Sequence, residues 1–471
     1  MIRNIYLLFF LTLNTGISNP LWAHTSGRPP NRPPNILIIT VDNVGYGDLS
    51  VYNKESPIIT PHIEQLGLEG AGLTNFYTAG ATCTVSRASL MTGRIPQRHK
   101  LVDQLNGIAG NYGIGLRQSE ILIPEMLKEA PTEYATGAFG KWNIGFAPGS
   151  RPTERGFDEY LGIASGNADH FSHVYAGKQD LHHNTEAINR NGEYSTDLFA
   201  DAAIHFIRKN TSQAKPWFVY LPFDAPHHPG ERNIGPDEEN IWKAPDYAFK
   251  PYGISPDEKD PKKRFNAVVT AIDMAIGRVL NTLDSLNISE NTFMFLYSDN
   301  GAFYPYLDIQ SNAPLKGAGV TLWEGGIRVP ALVRWPGKVK ANSVIDVRLW
   351  SLDLFPACAK LSQAELPKDR FIDGKNPLPV LTQESPHSPH ATLFFEYRNF
   401  AALHWGDWKI IRDEPAKAWQ LYNLRDDIAE TTDLAKKRID LVEKLNGAFV
   451  QKKEEIESYL KIEDSFMSRP K

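Results

Sequence analysis

Three stretches of the chain carry apolar side chains in unbroken runs, at 35–41 (Asn-Ile-Leu-Ile-Ile-Thr-Val), 216–223 and 292–297. A run without polar alternation predicts a strand buried on both faces, as in a parallel sheet. A shorter one is predicted at 134–139. Helical periods lie between them. Thr60-Pro61 opens a helix that runs through Glu69 and is closed by Gly70. Further helices are predicted over 121–130, 196–209 and 264–286. Residues 165–195, rich in His, Gly, Asn and Asp, show neither period and read as a long irregular insertion at one wall of a cleft. Residues 229–262 are charged and proline-rich and read as a surface loop. The recurring order of strand, polar cluster, loop and helix is α/β architecture.

After about residue 385 the pattern changes. Short strands are predicted at 392–397, 401–404, 408–412 and 420–423, followed by a charged helix over 434–459. This predicts a small antiparallel sheet with a terminal helix, so 35–385 reads as the main domain and 386–471 as a C-terminal subdomain. The start of the chain differs again. Arg3, the apolar run 5–13 and Leu21-Trp22-Ala23 read as an export signal over 1–23, with a Pro-rich linker at 24–34. The expected location is periplasmic or extracellular. No later stretch approaches the roughly 18 apolar residues of a membrane span.

Composition adds one exclusion: a formal charge of -5 argues against a nucleic-acid partner, which would call for a basic chain. There are two cysteines, Cys83 and Cys358. In an oxidising compartment they can form one disulfide. Alternatively Cys83 is used chemically and Cys358 is a buried thiol. Asn210-Thr211-Ser212 and Asn287-Ile288-Ser289 match the N-glycosylation pattern.

Cys83 opens a predicted helix that Gly93 ends, with Arg87 four residues on. A thiol at a helix N-terminus beside a guanidinium occupies an anion-friendly place; it is equally what a helix that happens to start with cysteine looks like. The strand ends carry the other candidates. Asp42 and Asn43 follow the first strand, and Asp299 and Asn300 follow the third. Four such oxygens converging would suit Ca²⁺ or Mg²⁺, although Asp-Asn-Gly is also a common turn sequence. Lys141 follows the strand at 134–139 in an apolar context, and His227 follows the second strand between prolines. Either could be structural. What unites them is position, since open α/β sheets place their sites beyond the carboxyl ends of the strands.

These blocks resemble the type I, formylglycine-dependent sulfatases of the alkaline phosphatase superfamily. The resemblance runs from Asn35 to about Ala435. It rests on Cys83 to Arg87 with the tail Leu90, Thr92, Gly93 and Arg94, on Asp42 to Asp48, Gly140-Lys141-Trp142 and Pro226-His227-His228-Pro229. It rests also on Ser298-Asp299-Asn300-Gly301, on Trp323 to Pro330, and on Leu421 to Leu434. It implies a large mixed, mostly parallel sheet flanked by helices, with the smaller C-terminal sheet and helix. It further implies hydrolysis of the sulfate ester of a sulfated carbohydrate or aryl sulfate. Cys83 would be oxidised by a formylglycine-generating or similar maturation enzyme, and one hydroxyl of the hydrated aldehyde would attack sulfur. Asp42, Asn43, the modified Cys83, Asp299 and Asn300 would hold Ca²⁺, with Mg²⁺ as the alternative. Arg87 and Lys141 would hold the hydrated aldehyde, and Lys141, His227, Asn143 and Lys316 would meet the sulfate.

Four positions depart from the family's usual sequence. Asn43 replaces an aspartate, Val85 replaces proline or alanine in the maturation motif, Asn143 replaces a histidine, and Gly319 stands where a sulfate-binding lysine is usual. An amide is no base at neutral pH, so two further expectations follow: a pseudo-enzyme that uses the pocket to bind, or a phosphoesterase or phosphonate hydrolase on the same scaffold. Trp242, Tyr247, Tyr304 and Tyr306 are candidates for an aromatic sugar-binding cleft.

Overall fold

In a computed structural model, residues 32–105, 115–229, 241–304 and 306–467 are described. The expected signal segment over 1–23 lies outside them, as does all but the end of the linker. From Pro33 onward the chain forms one compact unit.

Its centre is a ten-stranded sheet. Across the sheet the order is Ser343–Ile345, Ala71–Leu73, Ala331–Arg334, Thr292–Ser298, Asn35–Val41, Trp217–Pro222, Ala135–Phe139, Glu159–Ile163, Leu181–His183 and Glu186–Ala187. The five strands from Thr292–Ser298 to Glu159–Ile163 are mutually parallel. The apolar runs are explained by their two faces. Leu37, Ile39, Val219, Leu221, Met294 and Leu296 belong to one core, packed under Ser195–Ser212 and the long helix Pro261–Ser285. Ile36, Ile38, Phe218, Tyr220, Phe293 and Phe295 belong to a second core on the other face, with the helices Cys83–Thr92 and Leu354–Ser362. Successive side chains on a strand point to opposite faces. A strand covered on both faces therefore has no position where a polar residue is favoured.

The C-terminal part matches its prediction. Four antiparallel strands, Thr392–Tyr397, Phe400–Trp405, Trp408–Arg412 and Gln420–Asn423, precede the helix Ile439–Met467. Their apolar face joins Tyr77, Ala79, Ala81 and Val85 in a third core, so this sheet seats directly behind the start of the Cys83 helix.

Three expectations need correction. Residues 165–195 are not wholly irregular: Leu181–His183 and Glu186–Ala187 extend the main sheet, and Val174–Tyr175 pairs with Lys178–Gln179. Strands of two or three residues are too short to show a period. The loop 229–262, of which 230–240 lie outside the described residues, contains the 3₁₀ turn Asp246–Tyr252, and its Trp242 is buried. Finally, Asn210 sits in the last turn of a helix, is buried, and donates its amide to the Phe206 carbonyl at 2.9 Å, so that glycosylation pattern is folded away.

Candidate active site

Four neighbouring parallel strands, Thr292–Ser298, Asn35–Val41, Trp217–Pro222 and Ala135–Phe139, end at the same edge. Just beyond those ends stand Asp299 and Asn300, Asp42 and Asn43, His227, and Lys141 and Asn143. The Cys83 helix begins at the same place, with all ten of its residues buried. Gly93 stops it in the left-handed region at φ 67°, where its N–H donates to the Ser89 carbonyl at 2.9 Å. Asn43 and Asn143 also adopt positive φ, 66° and 54°. Asparagine tolerates this conformation better than other residues with a side chain, and it lets the chain turn sharply off each strand.

The charged groups interlock. Arg87 Nε donates to Asp299 Oδ2 at 2.9 Å, Nη2 lies 3.4 Å from Asp42 Oδ2, and Nη1 donates to the Lys141 carbonyl at 2.9 Å. The Lys141 ammonium pairs with Asp42 Oδ2. The Cys83 thiol donates to Asp42 Oδ1 at 3.3 Å. Each of these side chains except that of Cys83, which is 6% exposed, is no more than about 1% exposed. Burial of unpaired charge is prohibitive, so two cations facing two carboxylates is the arrangement that permits the cluster.

Titration follows from the same geometry. Burial and the adjacent Asp42 push the Cys83 thiol well up, so the unmodified residue is a neutral thiol and no thiolate nucleophile. Burial, and then Asp42, raises Asp299. Burial acts to lower Lys141, but Asp42, Cys83 and Asp299 together more than offset it and the ammonium stays charged. His227 is held down to about 3 by burial and by the Lys141 charge. Its Nδ1 lies 2.8 Å from the His228 carbonyl, an acceptor, so Nδ1 carries the hydrogen and Nε2 is bare.

Asp42, Cys83 and His227 each aim a ligand atom to within 4.8 Å of the others. The Asn300 amide donates to Asn43 Oδ1, while Asn300 Oδ1 is buried with no hydrogen-bond partner among the described residues. Two carboxylates and two amide oxygens, one of them orphaned, form a donor set that fits a hard cation such as Ca²⁺.

A cavity of about 330 Å³ opens beside this cluster, and Asn43, Cys83, His227 and Asn300 line it. So do Gln104, Gly166, Tyr175 and Arg398, none of which belongs to a motif named above. Gly166 and Tyr175 come from the predicted cleft wall. Arg398 comes from the hairpin of the C-terminal sheet and pairs with Asp103 at 3.0 Å on the rim. Only contact across the fold reveals that residue.

Lys316 is not brought here. Its ammonium lies 3.7 Å over the ring of Trp323, just before the short helix Glu324–Ile327, and 5.5 Å from that of Tyr422 on the C-terminal sheet, and it donates to the Glu430 carbonyl at 3.3 Å. Gly319 does border the cluster: a Cβ there would lie 3.4 Å from Asn300 Nδ2. Of the proposed cleft aromatics, Trp242 is buried against Phe265 and Tyr306 packs edge-on to His228. The Tyr247 hydroxyl donates to Asp197 at 2.8 Å, and Tyr304 is exposed. None of the four lines the cavity. Cys358 is a free, buried thiol in the second core, and Cys83 is free as well, so the disulfide alternative is not realised.

The family model described as Sulfatase matches residues 34–364, and one described as N-sulphoglucosamine sulphohydrolase, C-terminal, matches 320–455. The chain is 35% identical over 378 residues to N-acetylgalactosamine-6-sulfatase of Homo sapiens, covering 76% of this chain and 67% of that protein. It is 29% identical to an arylsulfatase of Hemicentrotus pulcherrimus over 86% of this chain and 72% of the relative. Among solved structures, Ps i-CgsB in complex with k-i-k-neocarrahexaose superposes with a TM-score of 0.79 at 29% identity, covering 89% of this chain and 92% of the other.

Proposed function

We propose, on the premise that this chain belongs to the sulfatase family and is a sulfuric ester hydrolase, that Cys83 is matured to formylglycine and that the substrate is a sulfated carbohydrate. The observation that carries this reading is the Cys83 side chain itself. It is buried at a helix N-terminus, 3.3 Å from Asp42, inside a cluster that also holds Arg87 and Lys141. An unmodified thiol with that raised pKa has no evident task there. The carbohydrate reading is supported by the N-acetylgalactosamine-6-sulfatase relative and the neocarrahexaose complex, and by a cavity rim with Tyr175 and Arg398.

Asp42, Asn43, Asp299 and Asn300 would hold the cation, Ca²⁺ in preference to Mg²⁺ because the set is rich in amide and carboxylate oxygen and little constrained to an octahedron. Formylglycine would supply the nucleophilic oxygen, and the cation positive charge beside it. The chain's own residues do the rest. Lys141 keeps its charge and neutralises sulfate oxygens in a water-poor site, where such interactions are strong. Arg87, fixed by Asp299 and the Lys141 carbonyl, holds the residue 83 side chain against Asp42. His227 presents Nε2 to the cavity. An anionic ester beside it offsets the charge of Lys141 and raises its pKa, so it can carry a proton toward the departing alcohol oxygen. The export signal over 1–23 would put this activity in the periplasm or outside the cell.

The test is the mass of the tryptic peptide containing Cys83, purified after co-expression with a formylglycine-generating enzyme. The expected mass is that of the aldehyde. A peptide that keeps its thiol, with Val85 blocking maturation, would overturn the reading.

A further inference from the structure

The Asn143 side chain can be oriented from hydrogen bonds that permit only one direction. The Thr84 backbone N–H lies 3.1 Å from Gln104 Oε1. A backbone amide only donates, so Gln104 must turn its carbonyl end toward it. That places Gln104 Nε2, a donor, 3.0 Å from Asn143 Oδ1. The Thr84 hydroxyl is compatible with that direction. Its oxygen accepts the Leu105 backbone N–H at 3.2 Å, and its proton can be donated to Asn143 Oδ1 at 3.1 Å. The Thr84 N–H, acting through Gln104, therefore fixes the Asn143 amide, with Oδ1 toward Gln104 and Thr84 and Nδ2 on the other side.

On that other side stands Gly166. A Cβ there would lie only 3.2 Å from Asn143 Nδ2, so the missing side chain keeps the approach to Nδ2 open. Gly166 and Gln104 both line the cavity next to Cys83. The Asn143 backbone is itself tied down, its N–H donating to the Ala164 carbonyl at 3.2 Å.

We propose that Asn143 Nδ2 is a fixed hydrogen-bond donor to a sulfate oxygen, and that Gln104 and Thr84 are the positioning residues that hold it in that sense. The inference rests on the sulfate-ester reading above and deepens it. Position 143 then acts as a donor that never titrates, where a histidine would gain and lose a proton. It adds to the positive pole formed by Lys141 and the N-terminus of the Cys83 helix.

The test is calorimetric binding of inorganic sulfate to the full chain loaded with Ca²⁺. Four proteins are compared: the parent, Gln104→Glu, Asn143→Ala, and the double variant. The carboxylate of Gln104→Glu still accepts the Thr84 N–H, but its second oxygen faces Asn143 and turns the amide round, presenting Oδ1 to the anion. Losing a donor to an anion is expected to weaken sulfate binding about ten- to a hundredfold in Asn143→Ala. Gln104→Glu should weaken it at least as much, through the reversed amide and its own charge. With alanine at 143 there is no amide to reverse, so there the same Gln104→Glu change should have an effect smaller by about tenfold or more. Gly166→Ala, whose Cβ would lie 3.2 Å from Asn143 Nδ2 and 3.4 Å from Gln104 Nε2, crowds both the donor and its relay and should also weaken binding. An equal effect of Gln104→Glu in both backgrounds would mean charge alone and overturn the proposal. So would unchanged binding in Asn143→Ala or Gly166→Ala, or a parent that binds no sulfate. A parent that shows the expected coupling yet cleaves no sulfate ester would leave the relay standing and remove the reaction assigned above.

Discussion

At the scale of single residues, the site is a balance of two buried carboxylates against Arg87 and Lys141, with a third positive charge expected between them. Burial and Asp42 raise Asp299 to about 6, above its unfolded value near 4. A carboxyl raised in this way favours the protonated native state. Its contribution is present below the unfolded pKa and is lost as pH rises through the folded one. A bound cation competes with that proton. Calorimetric Tm measurements with Ca²⁺ and with EDTA should therefore show a larger stabilisation by Ca²⁺ at about pH 7.5 than at about pH 5. A shift of equal size at both would place the cation away from Asp299. Asp42, Asn43, Cys83, Lys141, His227, Asp299 and Asn300 were all legible as positions in the sequence, since each follows a strand or opens a helix at one edge, and Arg87 lies one turn after Cys83 on the same helix. Lys316 was not, because chain position says nothing of side-chain direction, and Trp323 draws it away. Nor were Gln104 and Arg398, polar loop and turn residues that reach the cavity only through contacts distant in sequence.

At the scale of elements, the long strands and helices were readable within a few residues, because burial on two faces leaves an unbroken apolar run and a covered helix leaves a 3.6-residue period. The predicted stop of the Cys83 helix at Gly93 is where the structure puts it. The position is strict for two reasons: φ is 67°, and a Cβ would lie 2.7 Å from the Phe355 Cβ. Gly93→Ala should therefore destabilise the fold by about 1–3 kcal/mol in urea unfolding, and by moving the helix that carries Cys83 it should also lower turnover. A change within about 0.5 kcal/mol, the range of ordinary surface substitutions, would contradict that account. Where elements fall to two or three residues, as between Val174 and Ala187, periodicity has nothing to act on and the sheet's edge went unseen.

At the scale of the molecule, the C-terminal sheet is joined to the rest of the fold by a buried ionic cluster whose pairing no local motif shows. Lys409, on the third strand of that sheet, lies 2.9 Å from Glu324 and 2.7 Å from Glu430, and all three are fully buried. Glu324 also accepts the Tyr77 hydroxyl at 2.7 Å, and the Glu324 N–H donates to Glu430 at 2.7 Å. The change of pattern near residue 385 announced the sheet, but no sequence pattern pairs residues 85 apart. Lys409→Met should leave Glu430 without its cation and Glu324 with only Arg328 at 3.5 Å, and cost about 3–5 kcal/mol in chemical denaturation, with partial recovery when Glu430→Gln is added; a loss under about 1 kcal/mol, the size of an exposed pair, would contradict the buried role. The central claim is that this fold brings four strand ends and a helix start together so that residue 83 cleaves sulfate esters. It is tested most directly by sulfate release from a sulfated oligosaccharide, comparing the matured parent with Cys83→Ala in Ca²⁺. The account predicts release by the parent and a fall of about 10³-fold or more in the variant. Equal release by both proteins would contradict it.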